Sequence, residues 1–405
     1  MNGSERKLRM GRAFLILISI CLSSLVSVLI SEGLFRLLYP ESLYMGMPNI
    51  VQADPDVGYH LKAGLDFTFI DEGNQVRVKT TPRFLRDRPR DYQKHPQTRR
   101  IIMLGDSFTY GVGVNMEETF SAVLEELFRK NDRKVEVING GVPGYSTSQA
   151  YRWLKKELIK YEPDVVILNF YINDFVENLQ PLSTDGQGNL LVQTRETSQH
   201  PSALKDMYMR VRESFRLINY IIMQLKRSPG LRRLAVRLGY LDVAYYPEYS
   251  VLFKHLAPQA QKMVENSCEI IRELHAYSGS HNFRLVGTFH PPNYLVQDES
   301  WQDLIGQYNI DPADVDRSLI VERLRQCYQK IGVPYIDLVG PLTAFQRRHP
   351  DLYLFNQHGG HPAPRSHRMV AELMFDKLAM MMGNSSYWNQ VTYSTLPPKA
   401  QELSP

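Results

Sequence analysis

Short apolar runs alternate with helical repeats of apolar residues through most of the chain after residue 99. The runs have the length and composition of strands that are buried on both faces of a parallel sheet. Strands that alternate with helices predict a parallel sheet covered on both faces, so the predicted fold class is α/β. The predicted strands span 101–104, 135–139, 164–171, 283–289 and 333–339, and the predicted helices span 119–128, 148–161, 315–331 and 366–382.

The N-terminus has a different pattern, an uncharged apolar run over residues 13–31 that follows four Lys and Arg residues within 1–12. The run is about long enough to cross the hydrocarbon core of a membrane as a helix. The preceding positive charges predict that residues 1–12 are cytoplasmic and that the rest of the chain is extracytoplasmic. A cleaved signal peptide is the alternative. No Ala-x-Ala-like site follows, so we expect an uncleaved, single-pass anchor in the cytoplasmic membrane and a domain that faces the periplasm.

Residues 32–98 are predicted to be an extended and hairpin-forming linker region without helical periodicity. The stretches 65–70 and 75–80 alternate between apolar and polar residues around a turn, which predicts a hairpin. The Arg- and Pro-rich stretch 82–100 is interpreted as a solvated linker. A contact with anionic lipid head groups is its alternative.

Residues 178–258 interrupt the alternation of strands and helices with a basic, partly amphipathic stretch. This pattern predicts a helical cap whose charge suits an anionic substrate or a membrane surface. Residues 384–405 are rich in Ser, Asn, Gln and Pro and are predicted to form a disordered tail. The net charge of +4 is too small to indicate nucleic acid as a partner. Cys268 and Cys327 lie on predicted helices, where two buried free thiols are favoured over a disulfide.

Four polar or glycine residues follow the predicted strands or precede the last helix. Ser107 lies in a GDSF turn after the first strand, and Gly144 lies in GVPGYST after the second. Asn173 follows the third strand, and His361 precedes the last helix in HGGHPAPRSH. Because ligands of open α/β sheets bind beyond the carboxyl ends of the strands, we expect these four residues to converge.

The four residues supply the roles that acyl transfer requires. Ser107 is the candidate nucleophile, and His361 is the candidate base that takes its proton. The backbone N–H groups of Ser107 and Gly144 and the side-chain amide of Asn173 are candidate oxyanion donors. We predict no metal and no cofactor, although a zinc site formed by His358, His361 and His367 is a rival interpretation. In the absence of such a site, His358 and His367 are interpreted as loop and helix-surface residues, and Asp106 as a brace of the turn.

In this order the four residues resemble those of the SGNH hydrolases, also called the GDSL esterase/lipase family. The apolar helix that runs into Glu32 and Arg36, with the GVPGYST and YEPD segments, resembles the membrane-anchored bacterial branch of that family. The resemblance covers a domain over about 99–383 that includes the cap. It implies a flavodoxin-like, three-layer α/β/α sheet, the SGNH hydrolase fold, with a helical insertion and an N-terminal transmembrane helix. It also implies hydrolysis or transfer of an acyl group.

One position departs from the family pattern, in which an aspartate three residues before the histidine orients its imidazole. Here that position is His358. Asp351, if it folds back, or a backbone carbonyl are the alternatives for the orienting role. Loss of such a carboxylate costs a serine protease on the order of 10⁴ in turnover.

The sequence therefore predicts a serine esterase that cleaves an ester of an extracytoplasmic substrate, such as an acylated glycan or lipid, through an acyl-serine intermediate. An O-acyltransferase that modifies an envelope or exported polysaccharide is the first alternative, because both reactions use the same residues. A weak or inactive glycan-binding or assembly protein is the second, and the absent aspartate favours it.

Overall fold

The computed structural model describes residues 3–38, 50–71, 74–131, 133–179, 183–184, 190–191, 217, 247–308, 310–356 and 360–383. The chain divides into two units, Met1–Met45 with Arg195–Leu241, and Gly46–Thr194 with Asp242–Pro405. The second unit contains the sheet and the candidate site. Most of the predicted cap at 178–258 and the whole predicted tail at 384–405 lie outside the described residues.

Helix α1, Gly3–Leu38, belongs to the first unit. Its segment Ile18–Leu37 is long and apolar enough to cross a membrane. Large apolar side chains such as Leu22 and Ile30 are more than half exposed on it. A signal sequence would meet the same criteria of length and composition, so α1 is a candidate for either role.

Two antiparallel strand pairs precede the central sheet. The second pair is the hairpin that the alternation at 65–70 and 75–80 predicts, and its register confirms that prediction. The strands are β1 (Val51–Asp54) with β2 (Gly58–Leu61), and β3 (Asp66–Asp71) with β4 (Asn74–Lys79).

Five parallel strands form the central sheet, in the spatial order β6-β5-β7-β10-β11. Numbered along the chain within the sheet, this order is 2-1-3-4-5, that of flavodoxin-like folds. It confirms the predicted parallel α/β sheet. The strands are β5 (Arg99–Leu104), β6 (Val135–Asn139), β7 (Val165–Phe170), β10 (Arg284–Phe289) and β11 (Tyr335–Ile336), while β8 (Ser183–Thr184) pairs with β9 (Leu190–Leu191) outside this sheet.

Helices cover both faces of the sheet, which explains why its strands are mostly apolar. Alternate residues of β5 enter separate apolar clusters, with Ile102 on one face and Ile101 on the other. The helices are α2 (Ser107–Tyr110), α3 (Phe120–Lys130), α4 (Thr147–Lys156), α5 (Asp174–Glu177), α6 (Pro258–Ser280), α7 (Asn293–Val296), α8 (Asp298–Tyr308), α9 (Ser318–Ile331), α10 (Val339–Arg348) and α11 (Pro364–Gly383), with 3₁₀ turns at Met116–Glu118, Leu158–Tyr161 and Pro247–Leu252.

The last strand is shorter than the predicted span of 333–339. Only Tyr335 and Ile336 pair with β10. Asp337 then accepts hydrogen bonds from the backbone N–H groups of Val339 (3.0 Å) and Gly340 (3.3 Å), which starts α10. A carboxylate that satisfies the first N–H groups of a helix ends the strand early.

The Arg-rich stretch 82–100 is solvated only in part. Many of its residues are exposed, but the interpretation as a solvated linker is wrong for Arg86 and Arg100. Arg86 and Arg100 are each 1% exposed. Arg100 donates to the Glu136 carboxylate (2.5 Å) and to the Tyr161 carbonyl (2.9 Å). Buried arginines in this stretch are bonded within the protein and do not face lipid head groups.

Cys268 on α6 and Cys327 on α9 form a disulfide, so the expectation of two free thiols is wrong. Their Cα atoms lie 5.6 Å apart, within the ordinary range for a disulfide. Two helical cysteines that are 59 residues apart do not reveal their pairing in the sequence, because it depends on how α6 and α9 pack together.

Candidate active site

The turn that carries Ser107 is held tightly at the end of β5. Asp106 precedes α2, and its Oδ1 accepts a hydrogen bond from the backbone N–H of Phe108 (2.9 Å). A Cβ atom on Gly105 would lie 2.9 Å from the Asn169 carbonyl oxygen and closer still to the Thr109 hydroxyl. Only glycine fits there, so the backbone at residue 105 packs directly against Asn169 and Thr109, and Ser107 follows two residues later. Asp106 braces this turn, as the sequence indicates.

Ser107 and His361 meet although 254 residues separate them. The Nε2 atom of His361 lies 2.9 Å from the Ser107 Oγ. His361 lies in a loop between Leu354 and Ala363, the histidine loop. Backbone hydrogen bonds close this loop, from Asn356 N–H to the His361 carbonyl (2.8 Å) and from Ala363 N–H to the Leu354 carbonyl (2.9 Å). An imidazole at this distance can accept the serine proton, the first requirement of nucleophilic attack.

Gly144 and Asn173 lie at the same sheet edge, after β6 and β7. Gly144 has φ = +74°, which favours glycine and keeps its backbone clear of a side chain. Ser107, Gly144 and Asn173 are each partly exposed between buried neighbours. The sheet therefore brings the predicted serine and oxyanion donors to one edge, where they open to solvent.

The group that orients His361 stays a prediction. Asp351 is exposed in a turn beyond α10 and has no described contact with His361. His358 lies outside the described residues. The His361 imidazole packs near the ring of Phe108, with centroids 5.0 Å apart.

The sequence model of the GDSL-like lipase/acylhydrolase family matches residues 103–369, a span that holds all four candidate residues. The chain belongs to this family. It is thus an SGNH hydrolase of the GDSL type, as its motifs suggest, and the family supports esterase or acylhydrolase activity.

This GDSL hydrolase is similar, at low sequence identity, to one curated esterase and to several solved ones. An arylesterase of Vibrio mimicus is 24% identical over 156 residues, which are 38% of this chain and 66% of that protein, slightly less than two thirds of its length. A solved acetyl xylan esterase, AlAXEase, is 14% identical, with 68% of this chain and 98% of that one covered at a TM-score of 0.39. The esterase EstA of Pseudoalteromonas sp. is 14% identical, with 70% and 99% covered at a TM-score of 0.35.

Buried carboxyl groups cluster behind Ser107 in this GDSL hydrolase. Burial raises the pKa of Asp106 to about 6. Burial, and then the charge of Asp106, raise the pKa of Asp174 to about 8, although Asp174 accepts hydrogen bonds from the Thr147 hydroxyl and the Tyr171 N–H (both 2.8 Å). Burial also raises the pKa of Glu177 well above its ordinary value. The nucleophile therefore stands near three carboxyl groups whose pKa values are all raised, Asp106 the least.

Glu177 is a site residue that the sequence interpretation missed. The Nδ2 atom of Asn173 donates to Glu177 Oε2 at 2.8 Å. The two residues are four positions apart at a helix start, which is a spacing that brings side chains together. That spacing was the available signal.

Two histidines behind the site are buried and neutral. Burial lowers the pKa of His290 to about 3. His367 is fully buried, and its Nδ1 accepts the backbone N–H of Phe120 (3.1 Å), so its interpretation as a helix-surface residue is wrong. Within the described part of the chain, no three His, Cys, Asp or Glu residues are placed to hold a metal ion. His358, the third member of the rival zinc site, lies outside that part.

Proposed function

We propose that this GDSL hydrolase is a serine esterase that hydrolyses an ester bond of an extracytoplasmic substrate through an acyl-serine intermediate. The observation that carries the proposal is the 2.9 Å contact between Ser107 Oγ and His361 Nε2. It joins a nucleophile and a base from opposite ends of the domain at the edge where substrates of such sheets bind.

In the proposed reaction, His361 takes the Ser107 proton as Oγ attacks the ester carbonyl carbon. The negative charge that develops on the carbonyl oxygen is stabilised by the N–H groups of Ser107 and Gly144 and by the Asn173 amide. The intermediate collapses to an acyl-serine, and His361 gives its proton to the departing alcohol. Water, deprotonated by His361, then attacks the acyl group, which leaves as a carboxylic acid and restores Ser107.

Two observations support an extracytoplasmic location. Helix α1 has a segment long and apolar enough to span a membrane, and it follows a basic N-terminus. The Cys268–Cys327 disulfide is of the kind that persists in oxidising compartments. We therefore propose a single-pass protein of the cytoplasmic membrane whose catalytic domain faces outward.

Aromatic side chains beside the nucleophile favour a substrate rich in hydroxyl groups, such as an acylated glycan. Tyr171 stacks on Phe108, which follows Ser107, with ring centroids 3.9 Å apart. Tyr249 packs against Tyr294, whose hydroxyl has no hydrogen-bond partner in the described ranges (centroids 5.6 Å). Phe108 and Tyr294 are buried, so Tyr171 and Tyr249, which are partly exposed, are the rings that suit a sugar face. They also favour the alternative in which a sugar hydroxyl replaces water and the protein acts as an O-acyltransferase.

The test measures hydrolysis of a short-chain aryl acetate by the full chain and by Ser107→Ala, with the exposed Ser280→Ala as control. We expect Ser107→Ala to lose activity by about 10³-fold or more and Ser280→Ala to keep it. The same acetate with an added glycan acceptor separates the two reactions, because a transferase forms acetylated glycan. If neither assay detects activity that depends on Ser107, the proposed enzymatic function is contradicted, and the glycan-binding or assembly role is the alternative that stands.

A further inference from the structure

The amide nitrogen of Asn173 faces two carboxyl groups, those of Glu177 and Asp106, while its oxygen faces no donor in the described part of the chain. Its Nδ2 donates one hydrogen to Glu177 Oε2 at 2.8 Å. Its Oδ1 is buried and has no hydrogen-bond partner among the described residues. A buried acceptor normally receives a hydrogen bond, and leaving it without one is unfavourable. The arrangement therefore lacks one donor beside Oδ1.

Glu177 can supply that donor only as a neutral acid. Its surroundings favour that form, because its carboxyl is partly buried and the charges that act on it are negative when ionised. Carboxyl groups that share such a region cannot all be charged at once. The titratable groups around Glu177 are Asp174 on the same helix, Asp106 before α2, Glu248 on the 3₁₀ turn, Tyr171 after β7 and Tyr59 on β2.

We propose that Glu177 keeps its proton and acts as a positioning residue for Asn173 through a two-bond ring between acid and amide. In this ring, Asn173 Nδ2–H donates to one oxygen of Glu177, and the O–H on the other oxygen donates to Asn173 Oδ1. The second Nδ2 hydrogen interacts with the Asp106 carboxyl in the free site, and in the reaction the oxyanion takes the place of that carboxyl as its acceptor. The inference rests on the proposed function, in which Asn173 stabilises that oxyanion.

The proton on Glu177 has two effects. It fixes the plane of the Asn173 amide, because two hydrogen bonds define an orientation that one does not. It also keeps a negative charge away from the place where the ester oxygen becomes negative, and such a charge would oppose the intermediate. When alkaline pH removes the proton, both effects are lost and kcat should fall.

The test compares Glu177→Gln and Glu177→Ala in the full chain over a range of pH. Glutamine has the shape of the neutral acid, and its amide can donate to Asn173 Oδ1 at every pH. We expect Glu177→Ala to lower kcat by about 10- to 100-fold with KM changed less than about twofold, since removal of a whole oxyanion donor costs about 10²–10³. Glu177→Gln should recover most of that loss and move the alkaline decline of kcat to higher pH.

Three outcomes overturn the proposal. If Glu177→Gln is as slow as Glu177→Ala, the ionised form is the useful one. If Glu177→Ala matches the wild type in kcat, Glu177 does not position Asn173. If kcat of Glu177→Gln falls at the same alkaline pH as kcat of the wild type, loss of the Glu177 proton does not cause that fall. The exposed Glu273→Gln on α6 is the matched control and should leave kcat and its pH dependence unchanged.

A second readout does not depend on activity. The infrared difference between wild type and Glu177→Gln at neutral pH should contain the C=O stretch of a protonated carboxyl group. A carboxylate band in that difference contradicts the proposal even in an active enzyme. If Ser107-dependent activity is absent but the protonated band is present, the proposed function fails and the acid–amide pair stands.

Discussion

The two halves of the candidate site are held in different ways. The Ser107 side rests on buried groups, since Arg86 donates to the carbonyls of Tyr110 (3.0 Å), Gly111 (2.7 Å) and Val114 (2.6 Å) just beyond the serine. The His361 side rests on the backbone bonds of its loop and on the exposed Asn74 of β4.

Asn74 joins the hairpin to both halves at the protein surface. Its Nδ2 donates to the Gly113 carbonyl (2.9 Å) and to Asn356 Oδ1 in the histidine loop (3.1 Å). Exposed hydrogen bonds of this kind are weaker than buried, charge-assisted ones. We therefore expect a substitution on the serine side to lower the stability of the fold. A substitution on the histidine side should instead displace His361 and lower kcat.

The largest expected effect is on the serine side, for Arg86→Met. These three charge-assisted hydrogen bonds and a longer one to the Arg77 carbonyl (3.4 Å) are lost, and buried carbonyls are left without a donor, while the guanidinium no longer has to be desolvated. We expect the free energy of unfolding to fall by about 3 kcal/mol in urea titrations. The half-exposed Arg88→Met is the control, and an equal loss in both variants would contradict the comparison.

Asp174→Asn should change how stability depends on pH. The pKa of Asp174 is about 8 when folded and near 3.8 when unfolded, so between these values the folded state holds a proton that the unfolded state has lost. The free energy of unfolding therefore falls as pH rises through this window, and a neutral asparagine removes the fall. We expect the variant to be more stable than the wild type at pH 8 by on the order of 2 kcal/mol, because Asp106 and Glu177 share the titration. Parallel pH profiles of melting temperature in both proteins would contradict this.

On the histidine side, His358→Asp restores the carboxylate of the family pattern. If the orientation of His361 limits turnover, we expect kcat to rise about tenfold. That gain is much smaller than the roughly 10⁴-fold loss of kcat when a serine protease loses its orienting carboxylate. Asp351→Asn should leave kcat within about twofold, because Asp351 is exposed. A large loss in Asp351→Asn would instead identify Asp351 as the orienting group.

The smallest effect should follow Asn74→Ala, which removes the hairpin's bond to the histidine loop. We expect kcat to fall about threefold and the free energy of unfolding to change by less than about 1 kcal/mol. Asn131→Ala, which removes another exposed side-chain-to-backbone bond, is the control. A loss of stability without a loss of kcat in Asn74→Ala would show that the hairpin does not position His361.

The sequence predicts those features that follow from one strand or one helix at a time. The run at 135–139 matches β6 residue for residue, because Val135, Val137 and Ile138 give it the apolar, β-branched composition of a buried strand. The common edge of Ser107, Gly144 and Asn173 follows from the rule that the ends of parallel strands lie together. His361 follows α10 and no strand, so its approach to Ser107 is an expectation from the family resemblance. The burial of Arg86 and the pairing of Cys268 with Cys327 depend on which segments pack together, and no single segment carries that information.

The domain is more stable when the Cys268–Cys327 disulfide has formed than when the two thiols are reduced, so its stability depends on the compartment in which the protein is made. The disulfide closes a loop of 59 residues that contains β10, and a loop of that length contributes roughly 4 kcal/mol in the chain-entropy view of cross-links. A chain that folds in a reducing cell interior lacks this contribution and spends more time open to proteases. Recombinant material from the cytosol and from an oxidising compartment would then differ in half-life at an identical sequence.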